Sequence, residues 1–356
     1  MQGSRKRKKR ALIPYDYESI IQESVERIEE ETLDQILTGT RKFEYATKTI
    51  KAGAQLDVEI YPEFTALPQG VPKKKRDPTA QRNLNEKNSR KECVRLINEN
   101  FGPKDYWATF SYRSGCEPDS LEVAQRNMRN YLRKLNYHRK KQNLPPARYV
   151  YVTEWEEAGK AKKEIRCHHH IVIDGDFPRD RLESLWTLGD RNQVRRLDLD
   201  RHGLTGLGCY ITKAPRGKKK WCASLNLKRP PESKSYSKFT GAKVAKMAKA
   251  PPLATLEIEK KYPAYWLEET EIKCNPRNSM IYISAKMRRK AKVGDEVAVA
   301  AELLDGVRIP MGAGGLYKVE SLHTMPASHG TKDWAWIKKG SKRYFVPLVS
   351  LIAFGR

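Results

Sequence analysis

The stretch RCHHHIVI at residues 166–173 decides the fold, because it is a short strand signal that contains three consecutive histidines. Side chains alternate between the two faces of a strand. His168 and His170 therefore share one face, and His169 and Ile171 share the other. Two imidazoles two residues apart on one face can bind a single divalent ion, provided that a neighbouring strand supplies a third ligand.

The third ligand is expected from the strand that precedes the histidines. Residues 148–153 form a strand that ends at Glu154, and a hairpin from Glu154 to Arg166 would place this carboxylate beside the imidazole pair. A His-His-carboxylate set with open positions suits Mg²⁺ or Mn²⁺, which also hold phosphate groups. The competing interpretation is a basic surface strand, or histidines satisfied by hydrogen bonds in the core. Three further carboxylates compete for the third position: Glu156, Glu157 and Glu164.

Strands and helices intermix on both sides of the histidine strand. Residues 106–112 form an aromatic, β-compatible strand, and residues 121–135 carry apolar side chains at the spacing of an amphipathic helix. Shorter helices are expected at residues 180–188 and 205–214. This order predicts an α+β fold in which helices pack on a central antiparallel sheet, rather than a doubly wound parallel sheet.

The two ends of the chain differ in texture from this central part. Residues 1–80 comprise, in order, a basic tail at 1–10, an acidic helix-permissive segment at 20–36, a strand signal at 48–62 and a linker at 67–80. Residues 291–356 instead hold several short strand candidates separated by tight turns such as the one at Gly340, which predicts a small β-barrel-like module. The central domain is therefore expected to span residues 81–290.

The charge balance points to a polyanionic partner. The 356 residues include 69 Lys and Arg against 43 Asp and Glu, a formal net charge of +26. Each cation that neutralises a phosphate releases a condensed counterion, so nucleic acid is the first candidate and a solvated basic surface is the alternative. No apolar run approaches the ~20 residues that a bilayer requires, and the basic N-terminus has no apolar core of a secretory signal. The six cysteines form no C-x-x-C pair, which indicates reduced thiols in a cytosolic protein.

A candidate nucleophile lies on the helix predicted at 205–214, where Tyr210 and Lys213 share one face. A phenol that attacks a phosphodiester needs a metal to polarise the phosphate and a cation near the equatorial oxygens. Tyr210, the histidine-bound ion and Lys213 could supply these groups. Gly206 and Gly208 would let the helix lie close to the sheet or let the backbone approach DNA. The alternative is a core-facing Tyr with a Lys that reaches solvent.

Basic and aromatic residues near these motifs are candidates for contact with a single strand of nucleic acid. The candidates for its backbone are Lys218, Lys219 and Lys220, and those for base stacking are Trp107, Tyr112 and Trp221. A solvated face is the competing interpretation for the lysines, and core packing is the competing interpretation for the aromatic residues.

Together these motifs resemble the HUH endonuclease superfamily, and within it the rolling-circle replication initiators of phages and plasmids. Residues 107–112 (WATFSY) are similar to the family's first motif, in which Thr109 is a further candidate for contact with nucleic acid. Residues 168–170 fit its His-hydrophobe-His motif with a His in the middle, and residues 210–213 (YITK) fit its Y-x-x-K motif. The resemblance covers roughly residues 80–290.

The resemblance implies a ferredoxin-like or RRM-like sheet with a divalent metal ion, Mg²⁺ or Mn²⁺, on one face. The implied metal ligands are His168, His170 and Glu154. Tyr210 would nick one strand of a replication origin, leaving a 5′-phosphotyrosine and a free 3′-OH, with Lys213 assisting the reaction. The central domain would then be an HUH endonuclease domain.

Several alternatives stay open at this point. The middle residue of the motif is usually a bulky hydrophobe, so a register that uses His169 as a ligand is the alternative assignment. A conjugative relaxase or a single-strand transposase shares the chemistry, and a non-catalytic basic nucleic-acid-binding protein is the rival from another class. The sequence has no Walker A pattern, so a host helicase and polymerase are expected as partners, beside single-stranded DNA and origin duplex DNA. The implied location is the cytoplasm of a bacterial host, with no membrane partner.

Overall fold

The computed structural model describes residues 43–64, 78–156, 165–190, 192–213, 221–274, 280–304, 306–309, 315–327 and 330–354. Every strand pairing within these ranges is antiparallel, and the strands form three five-stranded sheets. The predicted mixed fold with antiparallel sheets and packed helices is therefore confirmed. The basic tail, the helix predicted at 20–36 and most of the linker predicted at 67–80 lie outside the described residues.

The described residues contain fifteen strands and six α-helices. In chain order the strands are β1 (Phe43–Ala52), β2 (Gln55–Phe64), β3 (Tyr106–Ser111), β4 (Tyr149–Glu156), β5 (Ile165–Ile173), β6 (Gln193–Arg196), β7 (Cys222–Ala223), β8 (Glu232–Ser235), β9 (Tyr265–Cys274), β10 (Ile281–Arg289), β11 (Glu296–Val299), β12 (Tyr317–Ala327), β13 (Gly330–Lys339), β14 (Lys342–Pro347) and β15 (Leu351–Ala353). The helices are α1 (Pro78–Asn100), α2 (Leu121–Lys141), α3 (Arg179–Ser184), α4 (Thr205–Ile211), α5 (Gly241–Lys249) and α6 (Pro251–Lys261). None of these helices is both long enough and apolar enough to cross a membrane.

The first sheet has the strand order β8-β1-β2-β10-β9, so its strands come from both sides of residue 80. A hairpin stands where the sequence predicted one strand at 48–62, because Gly53 takes a φ of 59° and turns β1 into β2. Helices α5 and α6 cover one face of the sheet and bury a core that includes Val58 and Ile258. The division of the chain at residues 80 and 290 stays a prediction.

The second sheet has the strand order β6-β3-β5-β4-β7, and the histidine strand β5 lies at its centre. Both faces are covered, because its strands carry apolar side chains on both sides. Helix α2 packs on one face, in a core with Phe110 and Ile171. Helices α1 and α4 pack on the other face, in a core with Val150, Val172 and Ile211. The first half of β5 lies beyond this apolar core, and its face toward α4 is polar.

Helix α1 contacts both of these sheets. Its Ile97 packs in the core of the second sheet, whereas Arg95 donates hydrogen bonds to Asp57 (2.7 Å) and Glu59 (3.1 Å) on β2 of the first sheet. Hydrogen bonds between charged groups are among the stronger ones in proteins, and these are partly buried. Helix α1 is therefore a well-anchored support for the helix that packs on it, α4.

The third sheet has the strand order β14-β13-β12-β11-β15, and the prediction of a β-barrel is wrong, because the described strands do not close. A 3-10 turn at Leu348–Ser350 leads from β14 into β15, which is only three residues long and pairs with β11. The carbonyls of Val349 and Leu351 accept hydrogen bonds from the buried Arg288 of β10. These bonds hold the final strand against the first sheet, and β14 stays an edge. The tight turn predicted at Gly340 is confirmed, since Gly340 has a φ of 60° between β13 and β14.

Candidate active site

Three potential metal ligands meet at the polar end of the second sheet. The register of β4 and β5 sets Glu154 directly opposite His168 and sets Val152 opposite His170. The Nε2 atom of His168 lies 3.4 Å from Oε2 of Glu154 and 3.1 Å from Nε2 of His170. The three donor atoms lie within 4.8 Å of one another, a group that could hold one metal ion. Of the three competing carboxylates, the side chain of Glu156 and all of Glu157 and Glu164 lie outside the described residues.

The donor set fits a cation because of the hydrogen bonds on the far side of each imidazole. Nδ1 of His168 donates to the carbonyl of Arg166 at 2.8 Å, so Nε2 of the neutral ring carries a lone pair. Nδ1 of His170 lies 3.0 Å from Oγ1 of Thr109, which can accept the equivalent bond. Two lone pairs then face a carboxylate, and metal-binding histidines are commonly oriented by such outer bonds.

The electrostatics of the group also favour a positive charge. A hydrogen bond from His168 lowers the pKa of Glu154, and the charges of His170, His168 and Lys213 lower it further. Burial by itself would lower the pKa of His168, but Glu154 and the Arg166 carbonyl outweigh that effect and raise it. Burial, with the neighbouring His168, lowers the pKa of His170 to about 4. At neutral pH the carboxylate is ionised and His170 is neutral, which is the state that metal ligation requires.

His169 faces the opposite side of the sheet, so the alternative register that uses it as a ligand is wrong. It is fully buried, with Nδ1 2.9 Å from Oγ1 of Thr153 and Nε2 2.9 Å from the hydroxyl of Tyr112. Burial lowers its pKa to about 3, so the ring is neutral. Tyr112, which the sequence offered as a base-stacking residue, is itself buried in the core under α2. The middle histidine of the motif is therefore a core residue with both nitrogens satisfied.

Tyr210 lies beside the metal-ligand group. Its ring centroid is 5.7 Å from that of His170 and 6.3 Å from that of Trp107, and the residue is 54% exposed. Trp107 in turn stacks on His170, with centroids 4.8 Å apart and ring planes 19° apart. The electrostatic influence of Lys213 on Glu154 indicates that its ammonium lies on the same side of the site. The structure thus brings together the phenol, the lysine and the three ligands that the sequence singled out.

Asn98 of α1 holds the start of the tyrosine helix, and the sequence contained no signal for this residue. Its Oδ1 accepts from the backbone N–H of Leu204 at 2.9 Å, and its Nδ2 donates to Oγ1 of Thr205 at 3.2 Å. These bonds satisfy groups at the N-terminus of α4, which has no side-chain cap of its own. Asn98 is a positioning residue for the helix that carries Tyr210.

Gly208 allows α4 to approach α1, as its glycine composition predicted for some close neighbour. A Cβ atom at Gly208 would lie 2.9 Å from Cγ2 and 3.1 Å from Cα of Val94. We expect Gly208→Ala to lower the free energy of unfolding by about 1–3 kcal/mol, because backbone as well as side chain must move. Urea unfolding of the full chain measures this change.

Gly206 provides the matched control on the same helix. A Cβ there would meet only Oδ2 of Asp200, at 3.1 Å, the movable end of a side chain. We expect Gly206→Ala to be neutral or to stabilise the chain by up to about 1 kcal/mol, since Ala favours a helix. Equal destabilisation by the two substitutions would contradict the close packing of α4 on α1 at Gly208.

The remaining residues predicted to contact nucleic acid lie at different depths. Trp107 is almost fully buried, with its ring against His170, and Thr109 contacts the other nitrogen of that histidine. Trp221 donates from Nε1 to Oγ of Ser89 at 2.9 Å and packs against the core under α1. These contacts orient parts of the site. Three predicted candidates lie outside the described residues: Lys218, Lys219 and Lys220.

Two imidazoles, a carboxylate and a phenol at one end of an antiparallel sheet make a candidate site for metal-assisted phosphodiester chemistry. Residues 105–215 match the family model for replication-associated proteins of the ORF2 type. The matched range runs from the start of β3 to just beyond α4, so it contains all five groups of the candidate site. The match confirms the resemblance to replication-associated proteins and is consistent with a rolling-circle replication initiator. No curated protein and no solved structure matches the chain.

Proposed function

We propose that this protein is a divalent-metal-dependent endonuclease that nicks single-stranded DNA at a replication origin through Tyr210 and so starts rolling-circle replication. The observation that carries the proposal is the position of Tyr210, whose exposed ring lies 5.7 Å from the ring of His170 in the metal-ligand group. The net charge of +26 suits a polyanionic substrate. The family match favours replication over conjugative transfer or transposition.

The ligands of the ion would be Nε2 of His168, Nε2 of His170 and a carboxylate oxygen of Glu154. A bound Mg²⁺ or Mn²⁺ supplies Lewis-acid polarisation of the scissile phosphate. Thr109 and the carbonyl of Arg166 hold the two imidazoles so that both Nε2 atoms face Glu154. This outer support reduces the reorganisation that binding a phosphate would otherwise require.

Tyr210 supplies the nucleophile in this proposal. Its phenolic oxygen loses a proton and bonds to phosphorus, while the bond from phosphorus to the 3′ oxygen breaks and that oxygen takes up a proton. The products are a 5′-phosphotyrosine and a free 3′-OH. Because one phosphate ester replaces another, the reverse reaction rejoins the strand without an energy source.

Lys213 is proposed to stabilise the charge that develops on the phosphate. It follows Tyr210 by three residues, and its backbone N–H donates to the Tyr210 carbonyl at 3.1 Å at the end of α4. Its charge acts on Glu154, so it also acts on an anion held at the same place. A cation directed at the equatorial oxygens lowers the barrier more than the ground state, since charge accumulates there during the reaction.

The proposal is tested with a pool of single-stranded DNA of random sequence, because the nick site is not needed in advance. The wild-type chain is incubated with Mn²⁺ and with pools labelled at either the 3′ or the 5′ end, and proteins are separated under denaturing conditions. A 5′-phosphotyrosine transfers only the 3′ label to the protein. No labelled protein with either pool, or transfer of the 5′ label alone, would overturn the proposal.

Thr109 offers a test of the outer support for the metal site. Thr109→Val keeps the shape of the side chain but removes the oxygen that lies 3.0 Å from Nδ1 of His170. We expect the affinity for Mn²⁺ to fall about 10-fold, as is typical when such an outer hydrogen bond is lost. Titration calorimetry with Mn²⁺ measures the change, and Thr109→Ser, which keeps the oxygen, should bind as the wild type does. An unchanged affinity in Thr109→Val would remove Thr109 from this role.

The proposed reaction defines the partners that must act with it. The free 3′-OH is a primer, so a host polymerase is proposed to extend it, and a host helicase is proposed to unwind the origin duplex. The proposed setting is the cytoplasm of a bacterial host. A non-catalytic DNA-binding role is the alternative, and it predicts DNA binding without any labelled protein in the transfer experiment.

A further inference from the structure

The outward face of the third sheet carries an aromatic cluster that the proposed nicking reaction does not use. Strands β12 and β13 turn Val319 and Ala335 into the core, so the alternate residues face away from it. Three aromatic side chains on this outward face are partly exposed and belong to no hydrophobic core cluster of the described residues: Trp334, Trp336 and Phe345. We call these three residues the aromatic face.

The rings of the aromatic face contact one another. Trp334 and Phe345 are stacked, with centroids 5.1 Å apart and planes 13° apart, and Trp336 lies 5.0 Å from Phe345. The guanidinium of Arg343 lies over the ring of Trp336 at 5.3 Å. Neighbouring aromatic rings on a sheet surface are the arrangement on which single-strand-binding sheets stack unpaired bases. A further planar ring could extend this stack.

The strand register places cations beside the rings. Lys318, Lys338 and Arg343 are cross-strand neighbours in one row at one end of the aromatic face, and Lys332 pairs with Met325 beyond the other end. Strands β12 to β14 together carry six Lys and Arg residues against two acidic residues, Glu320 and Asp333. This excess is complementary to a phosphate backbone and disfavours a basic partner. The combination of rings with flanking cations therefore selects nucleic acid as the occupant.

We propose that the aromatic face is a second binding site for single-stranded DNA, separate from the nicking site. Its rings stack on unpaired bases, and the row formed by Lys318, Lys338 and Arg343 neutralises backbone phosphates. A duplex keeps its base faces stacked inside the helix, so the rings discriminate in favour of unpaired DNA. This binding does not depend on whether Tyr210 acts as a nucleophile.

The test compares binding of a labelled dT20 oligonucleotide by the full-length wild type and by a Trp334→Ala/Phe345→Ala double variant. Fluorescence anisotropy is measured in EDTA, so that no metal-dependent cleavage occurs. We expect Kd to rise about 10- to 100-fold in the double variant, because two base-stacking contacts are lost. An abasic oligonucleotide of the same length, which keeps the phosphates but has no bases, should bind both proteins equally.

Two controls protect the test from misfolding and from nonspecific charge. Tyr137→Ala removes an exposed ring on α2, and it should bind dT20 as the wild type does. Trp334→Phe keeps a ring on the aromatic face and should retain most of the affinity, which a fold defect would not allow. Unchanged dT20 affinity in the double variant, or an equal loss for the abasic oligonucleotide, would overturn the proposal; the first result would leave a protein partner as the occupant.

Photocrosslinking locates the bound strand directly. Single-stranded DNA with 5-iodouracil is irradiated with the wild-type chain, and the crosslinked peptides are identified by mass spectrometry. Crosslinks to peptides from β13 and β14 are expected, and crosslinks restricted to residues 105–215 would overturn the proposal. Label transfer to Tyr210 measures the nicking function separately, so either proposal can fail while the other stands.

Discussion

Tyr210→Phe is expected to reduce formation of the covalent protein–DNA adduct by about 10⁴-fold or more, because it removes the atom that attacks phosphorus. The substitution leaves the ring, so its contacts with His170 and Trp107 are retained. Tyr210 is 54% exposed, and loss of its hydroxyl therefore has little effect on folding. The rate of label transfer from 3′-labelled DNA in Mn²⁺ measures the effect. Binding of the same DNA should change little, which separates loss of chemistry from loss of affinity.

Tyr137→Phe is the matched control for this prediction. Tyr137 is 57% exposed and lies on α2, the helix that covers the opposite face of the sheet, so the same atom is removed at similar exposure. Its rate of adduct formation should equal that of the wild type. An adduct that persists at the wild-type rate in Tyr210→Phe would show that another residue is the nucleophile.

His168→Ala is expected to lower the affinity for Mn²⁺ by about 100-fold or more, since loss of a direct ligand costs at least as much as loss of its outer support. His168 is preferred over His170 for this test, because His170 is 5% exposed and stacked on Trp107, so its removal would also disturb packing. Nicking at limiting Mn²⁺ should fall in parallel. Raising the Mn²⁺ concentration should restore part of the activity, because two ligands remain.

Two further variants sharpen the metal prediction. Glu154→Gln keeps the shape of the third ligand but removes its charge, and we expect a similar loss of Mn²⁺ affinity. His138→Ala removes an imidazole from the surface of α2, away from the site, and should bind Mn²⁺ as the wild type does. Calorimetric titrations of the three proteins decide the matter: wild-type affinity in both His168→Ala and Glu154→Gln would remove the metal assignment.

The pairing of the ligands was predictable because it depends on local geometry. Alternation along β5 places His168 and His170 on one face, and a hairpin to the preceding strand brings Glu154 opposite His168. Both relations involve residues that are close in the chain. Tyr210 was a weaker prediction, since a Tyr and a Lys three residues apart occur by chance in many basic helices.

Other parts of the site depend on residues that are distant in the chain. Asn98 reaches Leu204 across 106 positions, so no local pattern could identify it as a support of α4. The burial of Tyr112 and His169 was also hidden, because a buried histidine with two hydrogen-bond partners has the same letter as a ligand. The third sheet stays open for a similar reason: Arg288, a residue of another sheet, takes the carbonyls beside β15.

The sequence by itself determined the strand periodicity, the face shared by the two ligand histidines, the positive charge and the order of the motifs, because each follows from neighbouring residues and from composition. Only the tertiary structure decided which histidine is buried, how close α4 lies to α1 and which aromatic rings remain exposed on the third sheet. These features depend on packing between segments that are far apart in the chain, and side-chain burial is a property of that packing.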